Sequence, residues 1–246
     1  MRDTLRRNLQ HVRERIANAC RRVGRRPSDV VLVAVTKSVG AEAIRALPEL
    51  GVTDIGENRV QSAREKQDAL GGRLGLRWHM IGHLQSNKAR HALRLFDAVQ
   101  SVDSLRLAEE LDRRAAGGTG VPPVTHTGRR PVPPELCVPI LIECNVSGEA
   151  SKGGVPPADL PALLDAVQPL AHVRVEGLMT MAPLDDDPER ARPVFAALCE
   201  LAERARSQAG LPLPDLSMGM SQDFEVAIEE GATLVRIGTA VFRGVG

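Results

Sequence analysis

Lys37 is the residue best placed to do chemistry in this chain. It ends the run Val31-Leu-Val-Ala-Val-Thr-Lys37, in which β-branched apolar residues build a strand and one amine sits at its C-terminal end. A strand that delivers a lysine in this way holds an amine where it can condense with an aldehyde. The competing reading is a solvated lysine that terminates a strand, since Lys is rarely buried without a partner. Two further segments offer anion sites. Ser217-Met-Gly-Met-Ser221 runs into the helical pattern Gln222-Asp-Phe-Glu-Val-Ala-Ile228, so backbone N–H groups and the Ser221 hydroxyl can meet an anion at a helix start. An ordinary Ser N-cap is the alternative there. Gly238-Thr239 enters from the last strand, and barrels often build phosphate sites from their final loops. Arg236, between Val235 and Ile237, points away from its apolar neighbours and needs an acceptor, either a ligand or a carboxylate such as Glu57 or Glu176.

These residues need a scaffold that brings strand ends together. Apolar or β-branched runs near 30–36, 53–56, 77–81, 98–101, 140–145, 173–179, 215–218 and 234–237 alternate with helical patterns at 41–50, 59–70, 86–95, 105–115, 159–167, 189–208 and 221–230. That alternation is the mark of β/α units and a parallel sheet, and its count suits an α/β fold of the closed (β/α)8 TIM-barrel type. In such a barrel the functional face lies at the C-terminal ends of the strands, where Lys37, Asn58, Met179, Ser221, Gly238 and Thr239 all fall. Leu5, Leu9, Val12, Ile16, Cys20 and Val23 recur at helical spacing and predict a leading amphipathic helix.

A chain of 246 residues is long enough for one barrel, so a single domain over 1–246 is expected. Lys plus Arg number 32 against 31 Asp plus Glu, and the net charge of +1 argues against nucleic acid or a membrane as main partner. No apolar stretch approaches the ~20 residues that span a bilayer. Cys20, Cys137, Cys144 and Cys199 are scattered, without metal-type spacing, which points to a reducing cytoplasmic setting and no metal. The Pro/Gly-rich stretch 117–134 breaks the pattern and is expected to be a mobile surface insertion, with His126 exposed and not a ligand. A partner-binding extended segment is its alternative.

Asp54-Ile-Gly-Glu-Asn-Arg-Val-Gln61, Trp78-His-Met-Ile-Gly-His-Leu-Gln-Ser-Asn-Lys88, Gly177-Leu-Met-Thr-Met181, Leu216-Ser-Met-Gly-Met-Ser221 and Val235-Arg-Ile-Gly-Thr239 follow Lys37 in a fixed order. Together they resemble the pyridoxal 5′-phosphate (PLP) homeostasis proteins, a family related to the N-terminal barrel of alanine racemase. The resemblance implies that Lys37 forms an internal aldimine with PLP, its pKa lowered by partial burial beside Val35 and Val39. It assigns phosphate contacts to Ser221, Gly238 and Thr239, and places Asn58 and His79 near the cofactor. An arginine at the position of Arg236 donates to the pyridine nitrogen in the related racemases, which weakens the ring as an electron sink. Residue by residue, bland readings stand beside these: Asn58 as a cap for a helix begun by Arg59, His79 as a satisfied interior histidine, Met179 as core filler. Gln85-Ser-Asn-Lys88 is a candidate for the rim. Ile142-Glu-Cys-Asn145 with Gly148-Glu-Ala-Ser-Lys152 matches a further motif without an assigned role.

Racemisation needs a second acid/base, which the racemase relatives take from a tyrosine of a C-terminal β-domain. This sequence contains no tyrosine and runs only to Gly246 beyond the eighth strand. The expected function is therefore PLP binding and vitamin B6 homeostasis without catalytic residues, with apo PLP-dependent enzymes as candidate recipients. A PLP-dependent amino-acid racemase, using a His or Cys as acid/base, and a cofactor-free lysine-dependent aldolase are the alternatives. Bound PLP would give visible absorption; a resting aldolase lysine would not.

Overall fold

The computed structural model describes residues 1–117, 137–149 and 152–245. Eight parallel strands close in sequence order into a barrel, β8 pairing with β1. The strands are β1 (Val31–Val35), β2 (Asp54–Glu57), β3 (Arg77–Met80), β4 (Ala98–Val102), β5 (Val138–Glu143), β6 (Val173–Met179), β7 (Asp215–Ser217) and β8 (Leu234–Ile237). The helices are α1 (Arg2–Arg22), α2 (Ala41–Arg45), α3 (Val60–Leu70), α4 (Ala89–Leu95), α5 (Leu105–Ala116), α6 (Leu160–Val167), α7 (Arg192–Ala209), α8 (Phe224–Glu229) and α9 (Thr239–Phe242). The expected barrel and leading helix are both present. The insertion expected at 117–134 lies, apart from Gly117, outside the described residues.

Period-2 alternation divides each strand between two environments. Ile55, Trp78, Met80, Leu178, Leu216, Val235 and Ile237 join the core under the helices. The intervening positions Gly56, His79, Met179, Ser217 and Arg236 therefore face the barrel interior. That interior carries polar side chains where a barrel commonly stacks branched aliphatics.

Helix α1 is held by the stripe read from its sequence: Leu5, Leu9, Val12, Ile16 and Cys20 are all buried. Each such burial stabilises by up to about 1.5–3 kcal/mol. Val23, expected on the same face, is 41% exposed because the helix ends at Arg22. The helix grips the end of the chain. The Asn8 amide donates to the Val241 and Arg243 carbonyls at 2.9 Å each, Arg15 pairs with Glu225 at 2.6 Å, and Arg25 donates to the Ile228 and Ala232 carbonyls. The groups contacted are thus α8, α9 and the turns that follow them.

Several helices are shorter than the sequence pattern. Pro48 stops α2 at Arg45 and starts a separate 3-10 turn, since Pro supplies no N–H and its ring clashes with the preceding turn. Ser86–Lys88 likewise forms a 3-10 turn before α4. Helix α8 begins at Phe224 and not at Ser221, because residues 221–223 are taken up in a turn.

Candidate functional site

Lys37 lies in the turn that leaves β1. The residue before it is fixed from three sides: Thr36 N–H donates to the Gly56 carbonyl at 3.0 Å, the Thr36 hydroxyl donates to Glu57 Oε1 at 2.6 Å, and Lys66 from α3 donates to the Thr36 carbonyl at 2.6 Å. Lys66 also donates to Glu57 Oε1 at 2.5 Å. This buried clamp leaves Lys37 itself exposed. The partial burial expected from Val35 and Val39 is not found. The strand ends two residues earlier, so the lysine emerges above the packed layer that buries Val35. Pairing of Ala34 with Ile237 brings β8 alongside, and Lys37 leaves the barrel next to Gly238 and Thr239.

Below the mouth a line of hydrogen bonds crosses the interior. Arg236 donates to the Ser217 hydroxyl at 2.6 Å, and Ser217 donates to Gln100 Oε1 at 2.7 Å. Gln100 Nε2 meets His79 Nδ1 at 2.9 Å, and His79 Nε2 meets Asp54 Oδ1 at 2.9 Å. With the Gln100 amide so oriented, Nδ1 accepts and Nε2 donates. Burial pushes the Asp54 carboxyl up, but hydrogen bonds from His79 and Thr53 outweigh it and the net shift is downward. His79 therefore has the satisfied interior geometry that was its bland reading.

Arg236 is 4% exposed. Its second bond runs to the Thr180 carbonyl at 2.9 Å, not to Glu57 or Glu176, the carboxylates offered as salt-bridge partners. Both are engaged elsewhere: Glu57 with Lys66, Glu176 with Arg174 and Arg77. Burial lowers the Arg236 pKa to about 10, against the opposing charges of Glu143 and Asp223, so it stays a cation at neutral pH. Among the described residues Arg236 bonds only the Ser217 hydroxyl and the Thr180 carbonyl, so this buried cation retains donors for a further acceptor.

The two segments read as candidate anion sites do meet, though not as a helix cap. Ser221 Oγ accepts from Ala240 N–H at 3.2 Å, joining the turn before α8 to the start of α9. Asp223, not Ser221, occupies the N-cap position of α8, and its carboxylate accepts from Met220 N–H at 2.5 Å. Among the described residues the N–H groups of Ser221, Gln222, Gly238 and Thr239 have no acceptor, which leaves two adjacent turns with donors available to a phosphate. Gly219 permits this path. Its φ is +89°, and a Cβ there would lie 2.5 Å from that of Ala227.

Asn58 is half-buried one residue before the N-cap of α3; the helix starts at Val60, with Arg59 in the cap position, so Asn58 does not cap it. Gly82 lies against it so closely that a Cβ would come within 2.5 Å of the Asn58 carbonyl oxygen. Met179 is fully buried at the end of β6, with ladder partners Glu143 on one side and Ser217 on the other. Sequence reading missed Asp54, Gln100, Thr180 and Glu143. A signal existed for two of them: Gln100 interrupts an apolar strand, and Glu143 repeats the inward parity of Leu141. Cys144 is a poor acid/base candidate, its thiol pushed up to about 12 by burial. Among the described residues no cluster of three or more His, Cys, Asp or Glu is arranged to hold a metal ion, and no helix is long and apolar enough to cross a membrane.

A closed barrel with a strand-end lysine beside a donor-rich pair of turns defines a class, and the family model for the N-terminal domain of alanine racemase matches residues 3–244. A pyridoxal phosphate homeostasis protein of Aquifex aeolicus is 43% identical over 234 residues, covering 95% of each chain. One from Pseudomonas aeruginosa is 41% identical over 239 residues, covering 97% of this chain and 95% of the relative. The structure of PipY from Synechococcus elongatus with PLP bound superposes with a TM-score of 0.75 at 38% identity, covering 92% of this chain and 99% of PipY. The chain belongs to the pyridoxal phosphate homeostasis protein family.

Proposed function

We propose that this protein binds PLP at the barrel mouth and serves intracellular vitamin B6 homeostasis without turning over amino acids. Lys37 supplies the amine that holds the cofactor aldehyde covalently. Ser221, Gly238 and Thr239 hold the phosphate, and Arg236 donates to the pyridine nitrogen. Asn58 lies toward the ring oxygen, Met179 bounds the pocket, and His79 supports it from beneath. The residues fit the group: the N–H groups of the two final turns suit a phosphate, and Arg236 has donors to spare. PLP supplies a reactive aldehyde and an electron sink. The chain contributes an amine, a phosphate cradle and a charged donor that leaves the ring nitrogen without a proton.

The observation that carries this reading is the pairing of β1 with β8, which sets Lys37 beside Gly238 and Thr239 above a buried Arg236. We further propose that 1–246 is one domain, that the protein works in the cytoplasm, and that apo PLP-dependent enzymes receive the cofactor. The test pairs two assays on the PLP-loaded protein. Transfer of PLP to an apo-enzyme is expected, with negligible α-proton exchange of amino acids in heavy water. Rapid exchange with sustained, Lys37-dependent turnover would overturn the non-catalytic reading.

A further inference from the structure

A cleft of about 600 Å³ opens between α3, α4 and the connection that follows β3. It is within the size range of small-molecule sites. Two sequence motifs line it: Asn58, Arg59, Val60 and Gln61 from one, Met80, His83, Leu84, Gln85 and Lys88 from the other. Of these only Asn58 belongs to the proposed cofactor site.

The lining is divided. Met80 and Leu84 are buried, 1% and 2% exposed, and with Val60 they form an apolar floor. Around it stand Arg59, Lys88 and Arg94, all exposed, and among the described residues none of their three side chains makes a hydrogen bond or ion pair. The acid in the lining, Asp68, is already opposite Arg64 at 3.8 Å. The connection after β3 is fixed in place: the Ser101 hydroxyl donates to the Gly82 carbonyl at 2.6 Å, and Gly82 packs on Asn58. A preformed cleft loses less on binding than one that must be ordered.

We propose that this cleft is a second ligand site, which takes an organic phosphomonoester with a planar apolar body. Three unpaired cations exceed what a single carboxylate would neutralise and match a dianion. The floor of Val60, Met80 and Leu84 gives an aromatic body a surface that inorganic phosphate cannot use. A protein partner is disfavoured, because the apolar surface lies within a cleft of small-molecule size. The cleft's existence does not depend on the PLP reading.

The test is calorimetric titration of the full-length protein with AMP, adenosine and inorganic phosphate, each with and without added PLP. AMP is expected to saturate and to bind about tenfold or more tightly than either fragment. Lys88→Gln combined with Arg94→Gln is expected to weaken AMP about tenfold or more while leaving the PLP visible band unchanged. Arg94→Glu alone should weaken it in the same direction, with both variants checked by circular dichroism. No saturable AMP binding in the millimolar range would overturn the proposal. So would AMP affinity that survives these substitutions but falls in Ser221→Ala/Thr239→Val, since that result assigns AMP to the cofactor site.

Discussion

Arg236 donates to the Ser217 hydroxyl at 2.6 Å, and through that bond the one cation deep in β8 is tied to the far side of the barrel. Ser217 passes the connection to Gln100, Gln100 to His79, and His79 to Asp54. The charge presented to the mouth is therefore held by groups from β2, β3, β4 and β7. The position of Arg236 is a property of the barrel as a whole.

Ser217→Ala should consequently cost more than a surface hydroxyl would. It leaves Arg236 with one fewer acceptor and Gln100 Oε1 without its donor, and an unsatisfied buried polar group costs about 1–3 kcal/mol. Thermal or urea unfolding should show that loss, and PLP titration should show weaker binding. Stability and affinity equal to the parent would mean that the network does not position Arg236.

Ser221→Ala with Thr239→Val should weaken PLP binding much more than binding of pyridoxal, which lacks the phosphate. A hydrogen bond to a charged group is worth about 1.5–3 kcal/mol, so each contact accounts for roughly tenfold or more in affinity. The comparison of the two ligands separates loss of the phosphate site from misfolding. Equal losses for both would contradict the assignment.

Gly219→Ala should be strongly destabilising although it adds one methyl group. The residue sits at a φ of +89°, and its new Cβ would meet that of Ala227 at 2.5 Å. Backbone strain of about 1–3 kcal/mol and overpacking of similar size act together. Phosphate-dependent binding should fall as well, because the turn that carries Ser221 begins here. Unfolding by denaturant measures the first effect and a PLP titration the second.

Glu143→Gln should stabilise the cofactor-free protein near neutral pH and have little effect in acid. Burial first, then the charge of Asp103, raises the carboxyl above its ordinary 4.5, against the pull of Arg236 and His83. Above 4.5 the unfolded chain releases this proton while the native protein retains it until its higher pKa, so stability falls with rising pH across that window. The glutamine variant escapes the penalty. Its gain in melting temperature should be absent below 4.5 and complete above the native pKa; a gain that ignores pH would assign the effect to packing.

The sequence made the barrel legible because strand and helix periods alternate cleanly along it, and Lys37, Gly238 and Thr239 were readable as strand-end residues. Arg236 was visible as a polar residue in an apolar strand, yet its acceptors were not, since Ser217 and Thr180 lie 19 and 56 positions away and become neighbours only when the barrel closes. Ser221 looked like a helix cap because periodicity does not register the turn at 221–223, which Asp223 organises by accepting from Met220. The exposure of Lys37 agrees with the solvated strand-end reading and not with the partial burial expected beside Val35 and Val39. Apolar neighbours in sequence predicted burial, whereas the end of β1 at Val35 lifts the lysine clear of them.

Lys37 is the residue proposed to hold the cofactor. Purified protein incubated with PLP should show a visible absorption band that borohydride abolishes, leaving a stable pyridoxyl label on the one tryptic peptide that contains Lys37. Lys37→Ala should lose both band and label while keeping a native thermal transition. A label found equally on Lys88 or Lys152, or a band that survives in Lys37→Ala, would contradict the account.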